Sequence, residues 1–165
     1  MPPAIVVLDG GRPASFSFDE MLRYSGPRSP GGVAHAFKVM ERGFPLLGAE
    51  LERREIVAET AFGGPGARDA FELVTRGVTD GRYVVDPALA RPGRGVALER
   101  FVFRLGYRGE TVTLQAREGT VTDEFIALAG LERPSAADTA RLERLKAEMA
   151  ERVMSAPAAD VYEVA

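Results

Sequence analysis

Leu98-Glu-Arg-Phe-Val-Phe-Arg-Leu-Gly-Tyr-Arg-Gly-Glu-Thr-Val-Thr-Leu-Gln-Ala116 is the stretch that decides the fold. Its arms, Leu98–Leu105 and Glu110–Ala116, alternate apolar and polar residues and are rich in the β-branched and aromatic side chains that suit a pleated, half-buried surface. Gly106-Tyr-Arg-Gly109 between them reads as the turn of an antiparallel hairpin. Upstream, Glu55–Phe62 alternates as a strand, and Gly63-Gly-Pro-Gly66 turns into a helix with Ala70, Leu73 and Val74 on one face. Gly77 and Asp80-Gly81 end that helix, and Tyr83-Val-Val85 reads as a short strand. A strand–helix–strand unit followed by a hairpin implies an α+β domain with a mixed sheet and helices on one face.

The outer segments fit around this centre. Ile5–Leu8 is an apolar strand closed by the turn Asp9-Gly10-Gly11, and Ala14–Phe18 is its pairing arm. Asp19–Tyr24 is a brief helix. Ser29-Pro30-Gly31 opens a long helix, with serine at the N-cap and proline at the first helical position. Its face is Val33, Phe37, Met40, Glu41 and Phe44, and Pro45 and Gly48 end it. Pro87–Gly95 lacks periodicity and reads as the most mobile loop. Thr120 or Thr122 caps a helix through Leu128, stopped by Gly130. Ser135 and Asp138 form a capping-box pattern for a last helix whose face is Leu142, Leu145, Met149 and Val153. Its opposite face, Arg141 to Arg152, mixes charges at helical spacing, as solvated faces do.

Composition sets bounds on function. With 165 residues and 45% hydrophobic content, the chain 1–165 reads as a single domain able to bury a sizeable core. A net charge of −3 and a pI near 5.3 give no electrostatic footprint for nucleic acid. Lys38 and Lys146 are the only lysines, so arginine carries nearly all positive charge. The absence of cysteine excludes disulfides, thiolate ligands and a cysteine nucleophile, and His35, the only histidine, cannot by itself build a zinc site. Ala4–Leu8 is too short for a signal-peptide core or a membrane span. The expectation is a cytoplasmic protein without a membrane partner.

Phe18-Asp-Glu-Met-Leu-Arg-Tyr-Ser-Gly-Pro-Arg-Ser-Pro-Gly-Gly32 resembles the opening of the formylmethanofuran dehydrogenase E-like family, where a short helix enters an F-H-G-H-x-C-P-G metal-binding turn and then a long helix. Tyr24, Gly26, Pro30 and Gly31 keep that frame, whereas Ser25 and Pro27 replace the family's histidines and Ser29 its cysteine. Glu55–Gly63 is similar to the family's E-x-V-A-x-x-E-x-x-A-C-G strand, with Phe62 at the cysteine, and Asp69–Thr75 to its D-A-I-Q-x-x-T helix. A further family cysteine is absent near Gly77, and Gly64–Arg68 looks inserted. Phe101-Val-Phe103 with its turn, and the ending Leu145 to Val164, also have the family's look. The resemblance implies an α-β-α-β3 core over about residues 18–155, a mixed four-stranded sheet, helices packed on one face and extra C-terminal helices. It implies a degenerate site with no metal and no cofactor.

Two glycine-rich turns each lead into a helix start, and such starts attract anions through free amides and the helix dipole. A ligand set of Ser25, Arg28, Ser29, Gly31, Gly32, His35, Gly63, Gly64 and Arg68 follows from them and from the resemblance, since in the family the two segments approach each other around the metal. The plainer account is that glycine makes the turns tight and proline presets helix entry. His35 is the one candidate for acid–base catalysis, although a lone helical histidine is more often structural. Three functions stay open: a metal-free protein of the E-like type that binds a small anionic ligand or serves as an accessory subunit; a metal-independent enzyme using His35 with Ser25 or Ser29 on a small carbonyl or acyl substrate; and a structural or interaction module, a homodimer among its forms.

Overall fold

The computed structural model describes residues 2–165. Strands β1 (Ala4–Asp9) and β2 (Arg12–Ser17) form a separate antiparallel hairpin. Helices α1 (Phe18–Ser25) and α2 (Pro30–Leu47) follow, then β3 (Ile56–Thr60), α3 (Pro65–Thr75) and β4 (Tyr83–Val85). The deciding hairpin is β5 (Val102–Tyr107) with β6 (Glu110–Ala116). The chain ends with α4 (Asp123–Ala129), α5 (Ala136–Ser155), the single turn α6 (Ala158–Val161) and β7 (Tyr162–Val164). The fold is α+β, as the strand and helix order requires.

The sheet runs β4-β3-β5-β6-β7, with β3 and β4 parallel and every other pair antiparallel. It has five strands where four are expected. The addition is β7, a three-residue strand whose Tyr162 pairs with Ala116 and whose length gives periodicity too little to register. The hairpin turn also sits lower than the sequence suggests. Tyr107 pairs with Glu110, which leaves Arg108 and Gly109 as a two-residue turn with φ of 48° and 87°. Positive φ at both positions is the hairpin geometry that matches strand twist, and glycine takes the second of them without strain. Gly106 is a strand residue.

Helix α2 is the centre of the core. Positions 31–40 are all buried, not only one stripe, because α2 is enclosed by the sheet, α3, α5 and α1. Pro45 lies inside α2, and the helix ends at Gly48. Leu105 and Leu114 from the sheet meet α2 at Gly43, and Ile56, Ala58 and Phe103 join the same core. On the outer face, Arg104 and Glu59 form a bidentate pair at 2.8 and 3.1 Å across neighbouring strands. The aperiodic segment 87–95 contains two single 3-10 turns, Pro87–Leu89 and Pro92–Arg94. It lies against the sheet through a hydrogen bond donated by Arg91 to Gln115 and an ion pair of Arg94 with Glu163 at 3.6 Å. Among the described residues, no helix is long and apolar enough to cross a membrane.

Candidate functional site

Helices α2 and α3 begin against one another, backbone to backbone. A methyl group on Gly66 would stand 2.4 Å from the Ser29 carbonyl oxygen and 2.9 Å from the Val33 amide nitrogen, and one on Gly32 would stand 3.2 Å from the Ala67 nitrogen. This contact explains glycine at both starts better than turn geometry does, since neither residue has a positive φ. Both helices open with proline, Pro30 and Pro65, which removes one amide that would lack a partner. Neither start has a side-chain cap and neither carries an acid in its first turn. Ser29 occupies the N-cap position of α2, but its hydroxyl accepts no amide, because φ −138° and ψ 56° leave it outside the extended capping conformation.

A cleft of about 860 Å³ opens at this junction. One wall is Phe62 stacked on Phe101, with ring centroids 4.4 Å apart and planes inclined by 26°. The Phe62 ring also lies over Gly64, where a methyl would fall 2.2 Å from its Cζ. Phe125 and Ile126 of α4 and Leu142 and Met149 of α5 supply further apolar lining. Arg28, Arg100 and Lys146 bring positive charge to the lining, and Glu99 and Glu143 bring negative charge. Lys146 donates to Glu143 at 3.2 Å, whereas Arg28 and Arg100 form no ion pair with any described residue.

Six of the nine sequence candidates line this cleft: Arg28, Ser29, Gly31, Gly32, Gly63 and Gly64. Ser25, Arg68 and His35 do not. The Ser25 hydroxyl donates to Asp69 Oδ2 at 2.9 Å and so ties α1 to α3. Arg68 is exposed beside Asp69, 3.5 Å away. His35 is fully buried against Phe101, with ring centroids 4.7 Å apart, and its Nδ1 shares a 2.8 Å hydrogen bond with the Tyr162 hydroxyl. Nε2 has no partner among the described residues. Burial, reinforced by the positive charge of Arg152, lowers the His35 pKa to about 3, so the ring is neutral at physiological pH. The same burial raises the Tyr162 phenol well above its ordinary value. No serine bonds to His35, so the arrangement does not form the Ser–His pair considered from sequence.

Of the positions where the family resemblance expects metal ligands, Ser29 and Phe62 line the cleft and Ser25 does not. Ser25 is engaged by Asp69, and Phe62 places an aromatic ring where a thiolate is expected. Among the described residues no three His, Asp or Glu side chains gather in a way that could hold an ion. What sequence reasoning missed is the other half of the cleft: Arg100, Phe101, Phe125, Ile126, Leu142, Lys146 and Met149. Leu142 and Met149 were legible as one helix face, but only the path of α5 across α2 shows that part of this face borders open space. A smaller recess of about 330 Å³, between β1 and the end of α2, contains none of the candidates.

No protein-family model matches the chain, and no curated protein matches it.

Proposed function

We propose that this chain binds a small anionic molecule in the cleft where α2 and α3 begin, on a metal-free form of the formylmethanofuran dehydrogenase E-like scaffold. The observation that carries this reading is the convergence of both glycine-rich turns on one cleft that also contains Arg28, Arg100 and Lys146. Two helix starts without acids present the positive ends of two dipoles to the same space. Volume and lining fall in the range of small-molecule sites, which are mostly apolar with a few placed polar groups. The neutral, buried His35 bonded to Tyr162 supports a binding role for the cleft over acid–base chemistry.

Calorimetric titration with a panel of small carboxylates and phosphates tests the reading. Binding is expected in the millimolar range or tighter, and Arg28→Ala combined with Arg100→Ala should weaken it. Removing each charge-assisted hydrogen bond should cost about 1.5–3 kcal/mol where the ligand shields it from water and only about 0–1 kcal/mol where it does not. Arg68→Ala is the matched control, because Arg68 lies outside the lining. No binding by any member of the panel, or an equal weakening on Arg68→Ala, would reject the reading.

A further inference from the structure

The cleft is polar at one end and apolar at the other, and helix α5 shows the order. A methyl on Gly31 would touch Met149 Cε and stand 3.6 Å from the Lys146 carbonyl oxygen, so residues 146–149 lie beside the start of α2. Leu142 lies one turn earlier, and its neighbour Arg141 donates two hydrogen bonds to Glu124 of α4. At 1.5 Å per residue, Leu142 and Met149 are separated by about 10 Å along the axis. One end of the cleft therefore has the two helix starts with Arg28 and Lys146. The other end has Leu142, Phe125 and Ile126, with Glu143 beside Leu142 held by Lys146.

An inorganic anion would occupy only a small part of about 860 Å³ and would leave the apolar end filled with water. From that mismatch we infer that the ligand is an amphipathic carboxylic acid. Its head sits at the starts of α2 and α3 beside the unpaired Arg28, and its aliphatic tail runs past Phe62 and Phe101 to Ile126 and Leu142. The inference rests on the proposed anion-binding cleft and adds the tail. Charge complementarity fixes the head, because the Lys146–Glu143 pair leaves Arg28 and Arg100 facing Glu99 alone in the lining. The wall that receives the tail has room to adjust. Helix α4 has no fully buried residue, and an exposed Arg141–Glu124 pair links it to α5.

The experiment titrates the full chain with acetate, hexanoate, octanoate and decanoate, and with 1-octanol. Affinity should rise by about fourfold per added methylene until the tail reaches α4, which is the transfer free energy of one buried methylene expressed as a ratio. Octanoate should bind at least tenfold better than 1-octanol. Ile126→Ser sits on a helix without buried residues and should leave the fold intact, as far-ultraviolet dichroism would verify. It should flatten the chain-length dependence, so that octanoate and decanoate lose their advantage over acetate. If acetate binds and longer acids bind no better, the tail is wrong and the anion-binding reading survives. If 1-octanol matches octanoate, the acidic head is wrong and both readings fall. If no member of the series binds, the carboxylic-acid inference falls, and the anion-binding reading falls with it only when the phosphates fail as well.

Discussion

At the start of α1, Ser17 accepts the amide of Glu20 while the Glu20 carboxylate accepts the amide of Ser17; at the start of α2, Ser29 holds the equivalent position and accepts nothing. The same division runs through the molecule. Helix α5 repeats the reciprocal box with Ser135 and Asp138, and α4 has Thr122 as its cap with Asp123 and Glu124 behind it. Helices α2 and α3 have glycine and proline instead, with no cap and no acid. The self-capped helices satisfy their own amides and place negative charge on the positive end of the dipole. The two uncapped starts exchange that local satisfaction for close backbone contact and an open cleft. Sequence motifs report the first arrangement well because it is local, whereas the second depends on partners far along the chain.

The largest expected effect tests the backbone contact. Gly66→Ala forces a methyl to within 2.4 Å of a carbonyl oxygen, and neither backbone can rotate away as a side chain could. Overpacking of this kind costs about 1–3 kcal/mol and occasionally more, and contact between two main chains belongs at or above the upper end. Urea unfolding measures it. Gly31→Ala is the informative partner, since its methyl meets the flexible end of Met149 and should cost far less. Equal destabilisation by the two would mean that the helix starts are not packed as described.

The next effect is electrostatic and sits one turn into α2. The folded chain keeps His35 neutral down to about pH 3, whereas the unfolded chain takes up a proton near 6.5. Between those values the unfolded state binds more protons, so stability is complete above pH 6.5 and declines as pH falls towards 3. The upper part of that window, above the ordinary carboxylate values of 4.5 and 3.8, belongs to His35, because Glu55, Glu72, Asp80 and Glu124 begin to contribute only below it. Unfolding free energy should fall by roughly 2 kcal/mol from pH 6.5 to 4.5. His35→Gln should flatten that limb, and an unchanged slope in the variant would show that the ring is not held neutral by the core.

How much of this was legible follows the same local rule. The 135–138 capping box, the Thr122 cap, the strand–helix–strand unit and the hairpin all rest on local patterns and all appear in the structure, although the first hairpin arm begins at Val102 and residues 98–100 form a turn where strand is expected. Strand β7 escaped because three residues form no pattern, and the all-round burial of positions 31–40 in α2 escaped because enclosure by four neighbours is a tertiary fact. The glycine-rich half of the cleft stood out as punctuation. The apolar half did not, because Phe101, Ile126 and Leu142 are ordinary core-type residues whose exposure to a cleft depends on how α4 and α5 are placed. His35 stood out as the only histidine, yet its partner Tyr162 lies 127 residues away.

The smallest effects bear most directly on the contrast between the two kinds of helix start. Ser135→Ala removes a hydroxyl that accepts the Asp138 amide and should cost about 1 kcal/mol. Ser29→Ala removes a hydroxyl that caps nothing and should leave stability within about 0.5 kcal/mol of the parent. Ser29→Asp goes further and supplies the charge that α2 lacks. The local backbone does not bring a side chain at position 29 onto the first-turn amides, so the carboxylate acts through the helix dipole, which is worth about 0.3–1 kcal/mol of added stability. Position 29 also lines the cleft, where the new carboxylate would repel an incoming acid and compete with it for Arg28. Urea unfolding should therefore show Ser29→Asp slightly more stable than the parent, while titration shows that acetate and octanoate no longer bind. A stabilised Ser29→Asp protein that still binds octanoate would separate the helix starts from the ligand site. A Ser29→Ala destabilisation as large as that of Ser135→Ala would show that α2 is capped after all, and the distinction between the two kinds of helix start would not hold.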